Sequence, residues 1–534
     1  MAEERWWKTA VFYEAAVFAF FDGDGDGVGD FTGLTAKLDY LSWLGADCVW
    51  LLPFYESPMR DGGYDVADFR SVHKPYGSID DVARLLSEAH RRGIRVIADL
   101  PLNHTSDQHP WFVEARRPGS PTRDRYVWAD DPSKWSEARV IFSDTHDSNW
   151  SWDPAARAYY WHRFFDHQPD LNYDHPDVGA EMIDITRFWL DMGFDGLRLD
   201  AAPYLYERDG TNCENLPETH AWLRELRAVV DAGYEDRVLL CEANQRPEDV
   251  VAYFGDGDEC HMAFHFPVMP RLFMALKRGD ASAVAEILEA APVMADGAQW
   301  GFFLRNHDEL TLEMVSEDER AYMYEQYAPD AAMRKNLGIR RRLAPLLDGD
   351  RRRIELMHAV LLSLPGSPFL YYGDEIGMGD THTLDDRDGV RAPMQWDSSP
   401  GAGFSSADPS DYYLPLVGAP GYEPEAVNVE GQRADGGSLL NWARNALSLR
   451  RERPLLGAGG FELVPTGHPG LLAYLRADGA SKVAVLANFS DERVEAEVGL
   501  DGARWRPVLA SGCRLEGRRA KAGPYGYGWF EPPA

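Results

Sequence analysis

The sequence predicts an α/β protein: a (β/α)8 TIM barrel with a small domain inserted after the third strand and an antiparallel β-sandwich domain at the C-terminus. Eight short apolar runs alternate with longer amphipathic stretches over most of the chain. Each run is hydrophobic throughout rather than at alternate positions, as in a strand buried on both faces of a parallel sheet. From about residue 453 the text changes to short alternating segments joined by turns, the pattern of an all-β unit.

In chain order the expected strands are VFYEAAV at 11–17, DCVWLLP at 47–53, IRVIADLPLNH at 94–104, FDGLRLD at 194–200, RVLLCEA at 237–243, HMAFHF at 261–266, WGFFLRNHD at 300–308 and PFLYYGDE at 368–375. Interleaved with helices, they match the repeat of a closed barrel. Among the helices, SIDDVARLLSEAHRRG at 78–93 has Ser78 and Asp81 spaced as a capping box, with Gly93 as its stop. Residues 105–175 are rich in Trp, Tyr, Asp, His and Pro without helical period, too long a stretch for bare loop, and read as an inserted domain over one barrel end. The expected division is 1–104 and 176–452 for the barrel, 105–175 for the insert and 453–534 for the β-domain. Lid excursions are expected at about 311–345 and 376–436. The pairs Asp478–Gly479 and Asp501–Gly502 supply turns in the last unit.

Composition narrows the function. Hydrophobic residues make up 45% of the 534, enough for a sizeable core and against disorder. Lys and Arg number 54 against 87 Asp and Glu, a net charge of −33, which excludes nucleic acid or an anionic bilayer as the main partner. Five scattered cysteines form no CxxC pair and read as reduced structural residues. The start MAEERWWKTA carries no signal-peptide pattern, and no apolar run approaches the ~20 residues of a membrane span. A cytoplasmic location is expected.

Chemistry in such a barrel sits where strands end and βα loops begin. The third strand ends at Asp99, Asn103 and His104, the fourth at Arg198 and Asp200, the fifth at Glu242 and the seventh at His307 and Asp308. A lone carboxyl at a strand mouth reads as a cap or an ion-pair partner. Three acids converging from three strands are harder to explain structurally, because clustered carboxylates repel.

The stretches GLRLD, CEAN, RNHDE and DLPLNHTS, with QPDLNYDHP at 168–176, resemble the conserved regions of the α-amylase superfamily of retaining glycoside hydrolases and transglycosylases, in the same order. The resemblance implies Asp200 as nucleophile, Glu242 as general acid and then base, and Asp308 as the acid that holds sugar hydroxyls. A retaining mechanism needs one ionised and one protonated carboxyl ~5–5.5 Å apart. Arg198, on the strand face of Asp200, would keep that group charged, and Glu242 among other acids would hold its proton near neutrality. By the same resemblance His104 and His307 bind hydroxyls, Tyr64 stacks on the sugar, and Asp65 binds distal hydroxyls. One arginine of DRDGVRAPMQW, Arg387 or Arg391, completes the site, with Arg391 preferred.

The segment AVFAFFDGDGDGVGDFTGL at 16–34 gathers Asp22, Asp24, Asp26 and Asp30 behind an apolar run that reads as strand. With the carbonyl of Val28 they alternate as oxygen ligands do around Ca²⁺. Position twelve is Gly33 rather than Glu, which argues against an EF-hand and leaves a solvated Asp-Gly loop as the alternative. The resemblance implies a structural Ca²⁺ here. It also implies a second one beside the insert, held by Asn103, Asp170 and Glu207 with the carbonyls of Tyr204 and Leu205. No organic cofactor is expected.

Wider text, including VFYEAAVFAFFDGDGDGVGDF and NQRPEDVVAYFGDGDECHMAFHFP, resembles the branch of the superfamily that interconverts maltose and trehalose within one site. The implied reaction is intramolecular transglucosylation through a covalent glucosyl-aspartate, with minor hydrolysis. The implied partner is a disaccharide, in a homodimer or homotetramer, with any maltokinase a separate protein. The alternatives are an α-glucosidase or sucrose isomerase on the same scaffold and, more remotely, a non-catalytic amylase-like interaction protein.

Overall fold

A computed structural model describes residues 5–533; residues 1–4, which open the N-terminal text read above, and residue 534 lie outside it. Eight strands close into a barrel: β1 Phe12–Ala15, β2 Cys48–Leu51, β3 Arg95–Pro101, β4 Gly196–Asp200, β5 Val238–Cys241, β6 Met262–Phe264, β7 Gln299–Phe303 and β8 Ser367–Tyr371. Neighbours in sequence are neighbours in space, all pairs are parallel, and β8 returns to β1 through Phe12 opposite Phe369. Nearly every strand residue is buried, which explains the unbroken apolar text.

Several strands are shorter than the text suggests. The first run stops at Ala15, and Val17–Phe20 forms a helical turn, so the segment before the aspartate loop is not strand. The seventh stops at Phe303, which leaves His307 and Asp308 on the following loop. The helix Ile79–Arg91 carries the expected capping box, with Ser78 accepting from the Asp81 amide and Asp81 accepting in return. Its buried Val82, Leu85, Leu86 and Ala89 lie on one stripe.

Within 105–175 a three-stranded antiparallel sheet joins Trp128–Ala129, Ala158–Trp161 and Trp150–Asp153. Trp135, Trp150 and Trp161 pack together on it. An isolated bridge from His104 to Asp170 sews this segment to the end of β3, and a second, Tyr126 to Leu171, ties the segment to itself. After β7, short strands Leu310–Thr311, Arg334–Lys335 and Gly338–Ile339 form a second small sheet beside the helix Glu317–Tyr327.

The C-terminal strands Gly460–Leu463, Leu471–Asp478, Ser481–Asn488, Val494–Glu497, Arg506–Glu516 and Arg519–Glu531 form one connected antiparallel sheet. It encloses its own core, including Leu471, Leu486, Trp505 and Phe530. Its other side meets the helix Arg351–Leu361, where Trp529 donates to the Ala359 carbonyl and Tyr527 to Glu355. One buried arginine fastens the junction without any carboxylate, and a second sits on the barrel side of it. Arg476 donates to the carbonyls of Ser363, Leu364 and Gly459, and Arg450 to those of Leu362 and Gly366. Helix ends leave such carbonyls unsatisfied, and cations suit them. The five cysteines are buried and free, and among the described residues no helix is long and apolar enough to cross a membrane.

Candidate active site

The carboxyl ends of the strands bring the acids to one face. Asp200 is the last residue of β4, Glu242 follows β5 directly, and Asp308 stands on the loop after β7. Arg198, two residues before Asp200 and therefore on the same face, is buried among them. Its Nη1 donates to Asp99 Oδ1 (2.9 Å) and to Asp200, and its Nη2 lies 2.6 Å from Glu242 Oε1. The other Glu242 oxygen accepts from the Ala201 amide at 3.0 Å. That amide is aimed by a left-handed backbone at Ala201 (φ 53°), a strain of about 1 kcal/mol for a non-glycine residue.

Burial sets different proton affinities on the two groups. It raises Glu242 to about 7; Arg198 opposes this, while Asp200 and Asp308 reinforce it. It raises Asp200 to about 6 against the pull of Arg198, with Asp99 adding to the rise. Near pH 6.5 the arrangement therefore favours a protonated Glu242 beside an ionised Asp200. Asp308 is held well below the usual carboxylate range, because His307 and Arg387 outweigh its burial. Burial pushes His104 down to about 3, so it is neutral, and neither of its ring nitrogens has a protein partner.

These groups line a cavity of about 110 Å³ measured at water centres. That is room for roughly seven to eleven waters, a small-molecule rather than a polymer volume. Ile141 and Phe142 of the insert, Phe164, and Glu309, Thr311 and Glu313 of the excursion after β7 form its outer wall. Arg139 ties the two wall segments together. It donates to Glu313 (2.7 Å), to Glu214 (2.8 Å) and to the Tyr204 hydroxyl (3.0 Å), and Asn244 adds a bond to Glu313 at 3.0 Å.

The family model described as alpha amylase, catalytic domain, matches residues 17–334 and 340–459, and that for the maltogenic amylase C-terminal domain matches 461–529. The chain belongs to the α-amylase family. This α-amylase-family chain is 56% identical over 548 residues to the trehalose synthase/amylase TreS of Mycobacterium tuberculosis (strain CDC 1551 / Oshkosh), covering 99% of itself and 91% of that protein. It is 50% identical to the trehalose synthase of Thermus thermophilus over 98% of itself and 55% of that protein. Among solved structures, the trehalulose synthase MutB from Pseudomonas mesoacidophila MX-45 superposes with a TM-score of 0.82 at 28% identity, over 99% of each chain. These relatives make this family member an enzyme, an isomerase or transglucosylase on the amylase scaffold.

Two sequence expectations for this α-amylase-family site are corrected. Asp65 does not reach the cavity. It is fully buried inside its own loop, accepting from Ser57 and from the amides of Arg60 and Asp61. Asp61, which the sequence reading missed, lines the cavity instead, paired with Arg387 at 2.5 Å and with Gln168 at 2.8 Å. The preference for Arg391 over Arg387 is reversed. Arg387 lines the cavity and joins Asp61 to Asp308 (2.9 Å). Arg391 lies behind it, donating to the His307 carbonyl (3.0 Å) and to Asp308 (3.3 Å). Tyr64 and His104 line the cavity. The Tyr64 hydroxyl donates to Asp99 (2.8 Å), and its ring stacks on His307.

The two metal expectations fare differently residue by residue. Asp22, Asp24 and Asp30 each offer an oxygen within 4.8 Å of the others. Burial and then the neighbouring Asp26 and Asp30 raise Asp24, a negative field that a cation would relieve. Asp26 falls outside the group, and its carboxylate accepts from the Val28 amide (2.9 Å). Asp22 and Asp30 also order the loop, accepting from Gly27 and Gly33 at 2.7 Å each. Beside the insert, both amide atoms of Asn103, Asp170 Oδ2 and Glu207 Oε1 are buried without hydrogen-bond partners. Burial pushes Asp170 up to about 8 and raises Glu207 well above the carboxylate range. Orphaned oxygens of this kind fit a divalent cation. Tyr204 and Leu205 close the short turn just before Glu207.

Proposed function

We propose that the chain interconverts maltose and trehalose by intramolecular transglucosylation. The observation that carries this reading is the small cavity over Asp200 and Glu242, whose lining segments from the insert and from the loop after β7 are tied together by the Arg139 bridge. Identity of 56% and 50%, across nearly all of this chain, to proteins named trehalose synthase/amylase TreS and trehalose synthase supports it. Asp200 and Glu242 both lie within ion-pair reach of the Arg198 guanidinium, an arrangement that suits the close carboxyl pair of double displacement. Asp200 attacks C1 of the non-reducing glucose while Glu242 gives its proton to the leaving oxygen. The freed glucose turns within the cavity and presents its anomeric hydroxyl. Glu242 takes that proton back as the new oxygen attacks C1, and Asp200 departs. Two inversions retain the α configuration. Water in place of the glucose yields two glucose molecules, so solvent exclusion sets the fraction hydrolysed.

Calcium belongs to the same reading as a structural ion. Asp22, Asp24 and Asp30 would hold one ion, and Asn103, Asp170 and Glu207 a second, each supplying charge balance rather than chemistry.

The test is incubation with maltose alone, following all sugars by carbon NMR, with an Asp200→Asn control. Trehalose rising well ahead of glucose, and none from the variant, is expected. Glucose alone, at two per maltose, would overturn the reading in favour of an α-glucosidase.

A further inference from the structure

Glu14 is a buried acid that the chemistry above does not use. It lies in β1, 1% exposed, on the strand face it shares with Phe12, and that face points into the barrel. Its Oε1 accepts from the His307 amide (3.1 Å) and lies 2.5 Å from His307 Nδ1. A carboxylate only accepts, so Nδ1 must carry a proton for this contact to be attractive. The other ring nitrogen meets the same demand. His307 Nε2 is 3.2 Å from Asp308 Oδ2, again an acceptor, and 2.8 Å from the Tyr64 hydroxyl, whose own proton goes to Asp99.

The charged and titratable groups around the ring are Glu14 from β1, Asp99 from β3 and Arg198 from β4 through Tyr64, and Asp308 from its own loop, with Asp374 and Tyr371 on the far side of Glu14. On the cationic side Arg391 donates to the His307 carbonyl, and Arg387 faces Asp308. The ring edge otherwise meets Trp50 of β2. A neutral imidazole would set a bare nitrogen against a carboxylate, Glu14 at Nδ1 or Asp308 at Nε2.

We propose that Glu14 is a positioning residue that keeps His307 doubly protonated, so that Asp308 stays ionised and Tyr64 stays aimed at the cavity. The charge at His307 is then built into the barrel wall before any sugar arrives. Burial of the ring works against that charge, and Asp308 and Glu14 overcome it, which raises His307 to about 9. Without the Glu14 charge the ring loses a proton as pH rises. Its Nε2 can then bond only one of its two neighbours, and Asp308 Oδ2 loses its bond to the ring while Oδ1 keeps Arg387 and Arg391.

Glu14→Gln keeps the shape and an acceptor while removing the charge. Protonation is read directly by nitrogen NMR of ¹⁵N-histidine-labelled protein, with the His307 signal assigned by its loss in His307→Asn. In the unaltered protein the signal should remain that of an imidazolium at pH 7. In Glu14→Gln it should titrate at least one unit lower than in the unaltered protein. The ratio of kcat/KM for Glu14→Gln to that of the unaltered enzyme, on maltose and on a nitrophenyl α-glucoside, should fall at least tenfold between pH 5 and pH 8. A neutral His307 at pH 7 in the unaltered protein overturns the proposal and needs no variant. So does an equal titration in both proteins, or a loss in Glu14→Gln that is the same at every pH. The kinetic arm rests on the proposed reaction, whereas the NMR arm does not. Failure of the unaltered enzyme to turn over either sugar would therefore count against that reading and leave Glu14 judged by NMR.

Discussion

Replacing Arg387 separates the two arginines that sequence alone left unresolved. Its buried guanidinium joins Asp61 Oδ1 (2.5 Å) to Asp308 Oδ1 (2.9 Å). Charge-assisted bonds of this kind are worth about 1.5–3 kcal/mol each. Asp308 keeps His307 and Arg391 after Arg387→Ala, so its loss falls at the low end, whereas Asp61 retains only Gln168 as a side-chain partner. A net loss of about 3 kcal/mol in transition-state binding corresponds to roughly 150-fold in kcat/KM. Arg387→Lys keeps the charge but cannot span both acids, and should recover to within about tenfold of the parent. Arg391→Ala, behind the cavity wall, should cost about tenfold or less in rate and show chiefly as a lower melting temperature. Initial rates on maltose and on an aryl α-glucoside, with thermal melts of each variant, decide it. An Arg387→Ala enzyme within threefold of the parent, beside an Arg391→Ala enzyme reduced more than a hundredfold, would refute the assignment.

The remaining expectations concern protons and calcium. On the proposed mechanism activity requires Asp200 ionised and Glu242 protonated, so kcat/KM should fall below about pH 6 and again above about pH 7. Glu242→Gln should abolish the upper limb, and an optimum above pH 8 in the parent would contradict the assignment. Chelation should lower the melting temperature by several degrees, and added Ca²⁺ should restore it. A buried acid whose folded pKa is raised destabilises the metal-free fold above its unfolded value, with the penalty growing until the folded value is reached. For Asp170, raised to about 8, that window runs from about pH 4 to 8, and calcium, which needs the carboxylate ionised, should stabilise more at pH 8 than at pH 5. Melts that are insensitive to chelator at both pH values would exclude a bound ion.

The barrel was legible because each strand, buried on two faces, leaves an uninterrupted apolar run. The three acids were legible because they follow such runs closely. The loops were not. Asp61 and Asp65 sit four residues apart, and positive φ at Met59, Gly62 and Gly63 decides which carboxylate turns toward the cavity. No periodicity encodes that turn. Arg387 and Arg391 flank a single tight turn at Asp388–Val390, and one turn is enough to put one before the cavity and the other behind it. The insert hid its sheet because strands of two to four residues are too short to show alternation. Glu14 reads as an isolated polar residue in a core strand, and only the closure of β1 beside β8 and the loop after β7 gives it a partner.

The two family models divide the chain between residues 459 and 461, as though the terminal sheet could be cut away. The arginines at that seam make the cut physically expensive. Arg476 belongs to the sheet, yet the carbonyls it occupies at Ser363 and Leu364 close the helix that leads into β8. Truncation at the seam would strand those carbonyls and uncover the face of the helix Arg351–Leu361 that Trp529 and Tyr527 cover. Arg450 would stay behind, still buried, on the other side of the cut. A boundary drawn from sequence therefore marks where the chain changes style, and the smallest piece that can fold as a unit extends past it to the end of the sheet.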